Sequence, residues 1–257
     1  MNEHNITLAV GATKVLHTAG TYCDRDIVVT AEKGDGYDNG YNEGLEAGKK
    51  AQYDAFWDGY QENGSRTHYG GAFAGTAWDD GRFRPKYPIK PVNADYMFAF
   101  SKITDLPAAL EAAGVTLDIS NTIQGIHLFR EAATKRIGML DFSKFDTTSF
   151  NAHFNGCTNL ETIEKIILSD MFKSYSTDTF RKCSALKNIA FEGHINASIT
   201  FADCLLLTNA SVQSIVDALK DLTGATAQTL TFHADVGGKL TDEQKATITA
   251  KNWTLVY

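Results

Sequence analysis

Two aspartates stand in matching contexts, Leu117-Asp118-Ile119-Ser120 and Leu140-Asp141-Phe142-Ser143, and they are the carboxylates whose spacing best suits chemistry. On neighbouring strands they would lie about 4.8 Å apart, close enough to share acid/base work or to hold Ca²⁺. No third ligand accompanies them, however, and a repeated segment explains both without catalysis. The seven histidines, His4, His17, His68, His127, His153, His194 and His233, are scattered, with no pair at zinc-ligand spacing. Each reads as a surface or turn residue rather than a ligand.

Four cysteines, Cys23, Cys157, Cys183 and Cys204, would suffice for two disulfides. Three of them recur at one position of a repeat, which reads as a column of buried, reduced thiols behaving as small hydrophobes. No Cys-x-x-Cys pair is present for zinc or redox work. HExxH, P-loop, G-x-S-x-G and G-x-G-x-x-G motifs are missing as well. The chain is therefore expected to be no enzyme and to need no cofactor or metal.

The elements that would position these residues come from self-similarity, which decides architecture when its period is twenty to fifty residues. Phe154-x2-Cys157-x2-Leu160-x2-Ile163 and Phe180-x2-Cys183-x2-Leu186-x2-Ile189 share one pattern, and Phe201-x2-Cys204-x2-Leu207 begins it again. Short strand-like segments accompany the pattern, opening at Leu117, Leu140, Ile166, Ile189, Leu230 and Leu255. Their first members are 23, 26, 23, 41 and 25 residues apart. Stacking them predicts a parallel sheet with two inward residues per strand, Phe142 and Phe191 among them, over continuous apolar columns.

The wide interval is assigned to an inserted helix over about Ser211 to Leu222 rather than to a missed strand, because Val212, Ile215, Val216, Leu219 and Leu222 follow helical periodicity. Thr241-x-x-Gln244 predicts a capping box that starts a second helix running toward Lys251. That helix and Trp253 would close the C-terminal end of the core.

Over about residues 96 to 257 the repeat resembles the BspA-like leucine-rich-repeat family of bacteria and their phages. The resemblance implies an α/β leucine-rich-repeat solenoid with a parallel β-sheet and inserted helices. Its outward strand positions run Asp118, Asp141, Ile167, Ala190 and Thr231, then Ser120, Ser143, Ser169, Glu192 and His233. Of these, Asp118, Ser120, Asp141, Ser143, Glu192 and His233 are the candidate ligand-facing residues; a solvated sheet face is the competing reading.

The front of the chain differs. Residues 1–33 read as a small β module, from Ile6-Thr-Leu8, the turn-prone Thr18-Ala-Gly20 and Ile27-Val-Val29. Its Thr18-Ala-Gly20-Thr-Tyr22 segment looks like short β modules that open phage tail proteins. Residues 34–64 carry Gly36, Gly40, Gly44 and Gly48 four apart, then Tyr53, Phe56, Trp57 and Tyr60. They read either as a flexible linker or as a helix with a small-residue face and an aromatic stripe. On the helical reading, Gly40, Gly44, Gly48, Phe56, Trp57 and Tyr60 would mediate homo-oligomerisation. Residues 65–95, rich in Gly and Pro, are expected to be an irregular connector packed in part on the first turn of a solenoid spanning 96–257.

With 43% hydrophobic and 21% charged residues the chain belongs to the soluble globular class. A net charge of -7 and the lack of a basic stripe argue against nucleic-acid binding. No apolar run suits membrane insertion, and the first thirty residues lack the pattern of an export signal. These features predict a binding or adhesion protein of a phage or prophage tail, assembled in the host cytoplasm, that meets a protein or glycan on a cell surface. The alternative is a bacterial surface or secreted interaction protein of the same repeat family.

Overall fold

The computed structural model describes residues 13–17, 26–30, 69–76, 78–85 and 87–257. The predicted helix over 34–64, with its oligomerisation residues, and the Ile6-Thr-Leu8 and Thr18–Tyr22 segments lie outside the described residues. The chain divides into two units, Met1–Gly64 and Ser65–Tyr257. In the first, β1 (Thr13–His17) pairs antiparallel with β2 (Asp26–Thr30), His17 opposite Asp26 and Thr13 opposite Thr30. The strand nearest the turn-prone Thr18-Ala-Gly20 thus supplies the partner of Ile27-Val-Val29.

The second unit is mixed α/β, with parallel sheets and short helices. Its elements are α1 (Leu106–Ala113), β3 (Arg136–Asp141), β4 (Ser149–Phe150), β5 (Thr162–Ile167), β6 (Ser174–Tyr175), β7 (Asn188–Glu192) and β8 (Ile199–Phe201). They are followed by α2 (Asn209–Ala218), β9 (Gln228–Phe232), α3 (Ala234–Gly237), α4 (Asp242–Ala250) and β10 (Trp253–Val256). The sheets run β3-β5-β7, β4-β6 and β8-β9-β10, every pairing parallel, and none of these described sheets closes into a barrel.

Within each sheet a strand with its flanking turns, here a rung, lies against its parallel neighbour, and buried hydroxyls link neighbouring rungs. Ser169 Oγ donates to Phe145 O, Thr179 Oγ1 to Phe150 O and Thr122 Oγ1 to Pro91 O, which lie 24, 29 and 31 residues earlier.

The core is organised by a phenylalanine ladder. Rings of Phe73, Phe98, Phe129, Phe154, Phe180, Phe201 and Phe232 stack in sequence, with centroids 4.8 to 5.9 Å apart and interplanar angles of 3 to 25°. All are buried. Such aromatic contacts add about 0.5–1.5 kcal/mol each beyond the area they bury. The backbone repeats with the rings: Phe73, Phe98, Phe129 and Phe154 donate their N–H to the carbonyls of Met97, Leu128, His153 and Thr179, the residues just before the next ring. The ladder begins at Phe73, inside the stretch read from sequence as a connector, where Phe83 also packs edge-on against Phe73 at 5.3 Å.

Strand register departs from the sequence-derived columns at β7. Ile137 pairs with Ile163 and Ile163 with Ile189, while Leu140 pairs with Ile166 and Ile166 with Phe191. β3 and β5 place two residues between their inward pair, Gly138-Met139 and Glu164-Lys165, whereas β7 places only Ala190. A register shift between Ile163 and Ile166 absorbs the difference. Phe142 is fully buried, as expected, but Phe191 is only half-buried. At the C-terminus, Trp253 is the buried residue and Tyr257 is 54% exposed.

The wide interval contains the expected helix, α2, capped by Thr208, but also the strand β8, so excluding a strand there was an error. Ile199-Thr-Phe201 is too short to show a period. α4 begins with the predicted capping box: Thr241 N donates to Gln244 Oε1 at 2.9 Å, and Gln244 N to Thr241 Oγ1 at 3.2 Å. α1 was not anticipated. Its signals are Asp105, whose side chain accepts from Ala108 N, Pro107 in the first turn, and Gly114 at φ 68.

Candidate functional site

The predicted acid pair is two structural corners. Asp118 accepts from Ser120 N at 3.0 Å and Ser120 Oγ at 2.6 Å, and the serine hydroxyl, then its N–H, hold the carboxyl below its ordinary range. Asp141 accepts from Ser143 N at 2.9 Å in the same kind of turn. Among the described residues no strand pairing or bridge joins Asp118 to Asp141. Among the described residues, no group of three or more His, Cys, Asp or Glu is arranged to hold a metal ion.

The remaining candidates are dispersed. Glu192 is exposed at the end of β7 and pairs with Lys165 at 3.0 Å. His233 caps α3, its Nδ1 accepting from Asp235 N at 3.2 Å. Ser169, expected to face outward, is 2% exposed and anchored to Phe145 O, because the chain has already turned inward there. The outer face of β3-β5-β7 is crossed by ion pairs: Arg136 contacts Asp105 at 3.0 Å and Glu164 at 3.5 Å, and Lys187 contacts Glu161 at 2.9 Å. Exposed pairs of this kind contribute little to stability and leave their charges compensated.

The cysteines behave as columns require. Cys157, Cys183 and Cys204 are free and buried, and their thiols point at the carbonyls of Phe129, Phe154 and Phe180 in the preceding rungs. Burial pushes Cys157 up to about 12 and raises Cys183 and Cys204 as well, so thiolate chemistry is suppressed. Cys23 lies outside the described residues.

One histidine differs from expectation. His153 is wholly buried among Phe142, Phe145, Phe150 and Phe154, with neither ring nitrogen hydrogen-bonded. Burial, with a smaller contribution from His127, pushes it down to about 3, so it is a neutral core residue. His127 is half-buried, with Nδ1 enclosed and unpartnered.

One surface feature escaped the sequence reading. Residues two before and two after the first four ladder phenylalanines adopt positive φ, Gly71 and Gly75, Tyr96 and Phe100, His127 and Glu131, Ala152 and Gly156, as does Lys182 two after Phe180. Glycine suits this conformation without steric cost, and bulky side chains rarely adopt it. The glycines at fixed offsets from Phe73 and Phe154 were the available signal. At the aromatic members the side chains reach the next rung: Tyr96 lies against His127 with centroids 4.9 Å apart, and the Arg130 guanidinium sits 5.9 Å over the Phe100 ring. Arg130 also contacts Glu131 at 3.4 Å.

Among the described residues, no helix is long and apolar enough to cross a membrane. Compared with family models, curated proteins and solved structures, the chain has no match in any of the three.

Proposed function

We propose that residues 65–257 form a leucine-rich-repeat solenoid of the BspA-like kind and that its role is non-enzymatic binding. On this reading the protein is a phage or prophage tail-associated component that recognises a ligand on a host surface. The observation that carries the binding role is the engagement of the chemistry-bearing side chains. Carboxylates cap turns or pair across rungs, thiols are buried and protonated, and His153 is sealed in the core. What the rungs offer to solvent is a broad surface of repeated positions, suited to many weak contacts. The division of the chain after Gly64 supports an attachment module in front of the recognition module.

Two measurements test this reading. The labelled full chain should bind candidate host cells saturably, and the recovered surface polymer should keep its mass. Antibody against the chain should decorate tail ends of virions. Turnover of the polymer would overturn the non-enzymatic reading, and label confined to the envelope of uninfected cells would favour a bacterial surface protein.

A further inference from the structure

The positive-φ columns contain their own internal control. At the same two positions of successive rungs, the sequence places Gly71 and Gly75, then Tyr96 and Phe100, then His127 and Glu131, then Ala152 and Gly156. A Cβ at Gly71 or Gly75 would meet nothing within 4 Å, so glycine there answers to backbone conformation alone. Tyr96 and Phe100 hold the same conformation at φ 53 and 61 against its steric cost. They do not repay it in the core: Met97, Phe98 and Ala99 between them are 0 to 1% exposed, whereas Phe100 is 39% exposed and Tyr96 is half-exposed. Large aromatic rings are thus kept at strained, outward positions on one rung.

The next rung surrounds those rings with polar groups. His127 lies beside Tyr96, Arg130 over Phe100, and Glu131 beside Arg130. We infer that Tyr96 and Phe100, with His127, Arg130 and Glu131, form a binding site for a neutral hexopyranose oligosaccharide. Aromatic faces carry negative potential and receive the C–H face of a pyranose, while the guanidinium donates to ring hydroxyls and the carboxylate accepts from them.

Other ligand classes fit the same patch less well. A polyanion would meet Glu131 and a guanidinium already compensated by it. An extended peptide adding to the rung edge would need free backbone groups. The N–H groups of Tyr96, Phe100, His127 and Glu131 are already donated to Ile126, Arg130, Asn151 and Asn155 carbonyls. With these donors committed, the side chains are what the patch presents, which is how a sugar is read.

This inference rests on the reading of the chain as a binding protein, and its test separates the two. The full chain and its Tyr96→Gly/Phe100→Gly variant are applied to an array of hexasaccharides of glucose, N-acetylglucosamine, mannose and galactose, and in parallel to host cells. The parent should be retained on at least one hexasaccharide, and the variant at least tenfold less. The variant's melting temperature should equal or exceed the parent's, since glycine adopts this backbone conformation without steric cost and is what the preceding rung carries at these positions. Tyr96→Phe, which keeps the ring, should keep binding. Cell binding without retention on any hexasaccharide overturns the sugar site alone, and loss of both overturns the binding reading too. A melting temperature lowered by more than about 5 °C, or undiminished sugar binding by the variant, overturns the site by making the rings structural or irrelevant.

Discussion

The Cys157 thiol donates to the carbonyl of Phe129, 2.8 Å away in the preceding rung, and Cys183 stands in the same relation to Phe154 at 3.1 Å. A residue too small to fill the core is thereby fixed between rungs, and the thiol is kept protonated by burial. Native protein should resist thiol labelling at Cys157, Cys183 and Cys204 and should label fully once unfolded. Cys157→Ala should cost about 1–2 kcal/mol in denaturant melts, through the lost hydrogen bond and a small cavity. Rapid native labelling would contradict the buried column.

Ring position on the ladder predicts a graded series. Phe154 is fully buried and stacked on both Phe129 and Phe180, at 5.9 and 5.3 Å, so Phe154→Ala should destabilise by about 3–5 kcal/mol. Phe191 is half-buried and its ring meets that of Phe201 edge-on at 6.3 Å, so Phe191→Ala should cost less than half as much, about 1–2 kcal/mol. Equal losses in the two variants would reject the register in which Ile166 faces Phe191.

Acid stability should be governed in part by His153. Its folded value of about 3 lies below the unfolded value of about 6.5, so between these two the unfolded chain binds the extra proton. Stability from this group is full above pH 6.5, falls as pH drops toward 3, and levels below that. The loss is on the order of 1.4 kcal/mol per pH unit where the difference is complete. His153→Leu, which also removes two unpartnered nitrogens from the core, should flatten this acid limb. An unchanged limb in urea melts from pH 7 to 4 would assign acid sensitivity elsewhere.

The fold was readable where a signal was local or repeated. Thr241 and Gln244 announced α4 because a capping box lies within four residues, and Phe154, Cys157 and Leu160 announced the rung because Phe180, Cys183 and Leu186 copy them. Register failed at β7 because a two-residue shift preserves the apolar alternation, so Ile189 matched Ile166 as well as Phe191 did. The rung of Phe73 was read as connector because Phe73 is not followed by the cysteine of the repeat, although its ring stacks 5.0 Å from Phe98 like the others. For the candidate site, Asp118 and Asp141 were correctly paired as equivalents, but their Ser120 and Ser143 partners make them turn residues. Tyr96 and Phe100 carried no readable sign, because positive φ at a non-glycine residue is imposed by the rungs on either side rather than by the residue.

The stacked rungs are most directly tested by ring-to-ring nuclear Overhauser effects in protein labelled selectively at phenylalanine. The account predicts contacts joining Phe73 to Phe98, Phe98 to Phe129, Phe129 to Phe154, Phe154 to Phe180, Phe180 to Phe201 and Phe201 to Phe232, without a skipped member. Contacts that bypass a ring, such as Phe129 to Phe180, or no contact between successive ladder rings, would contradict it.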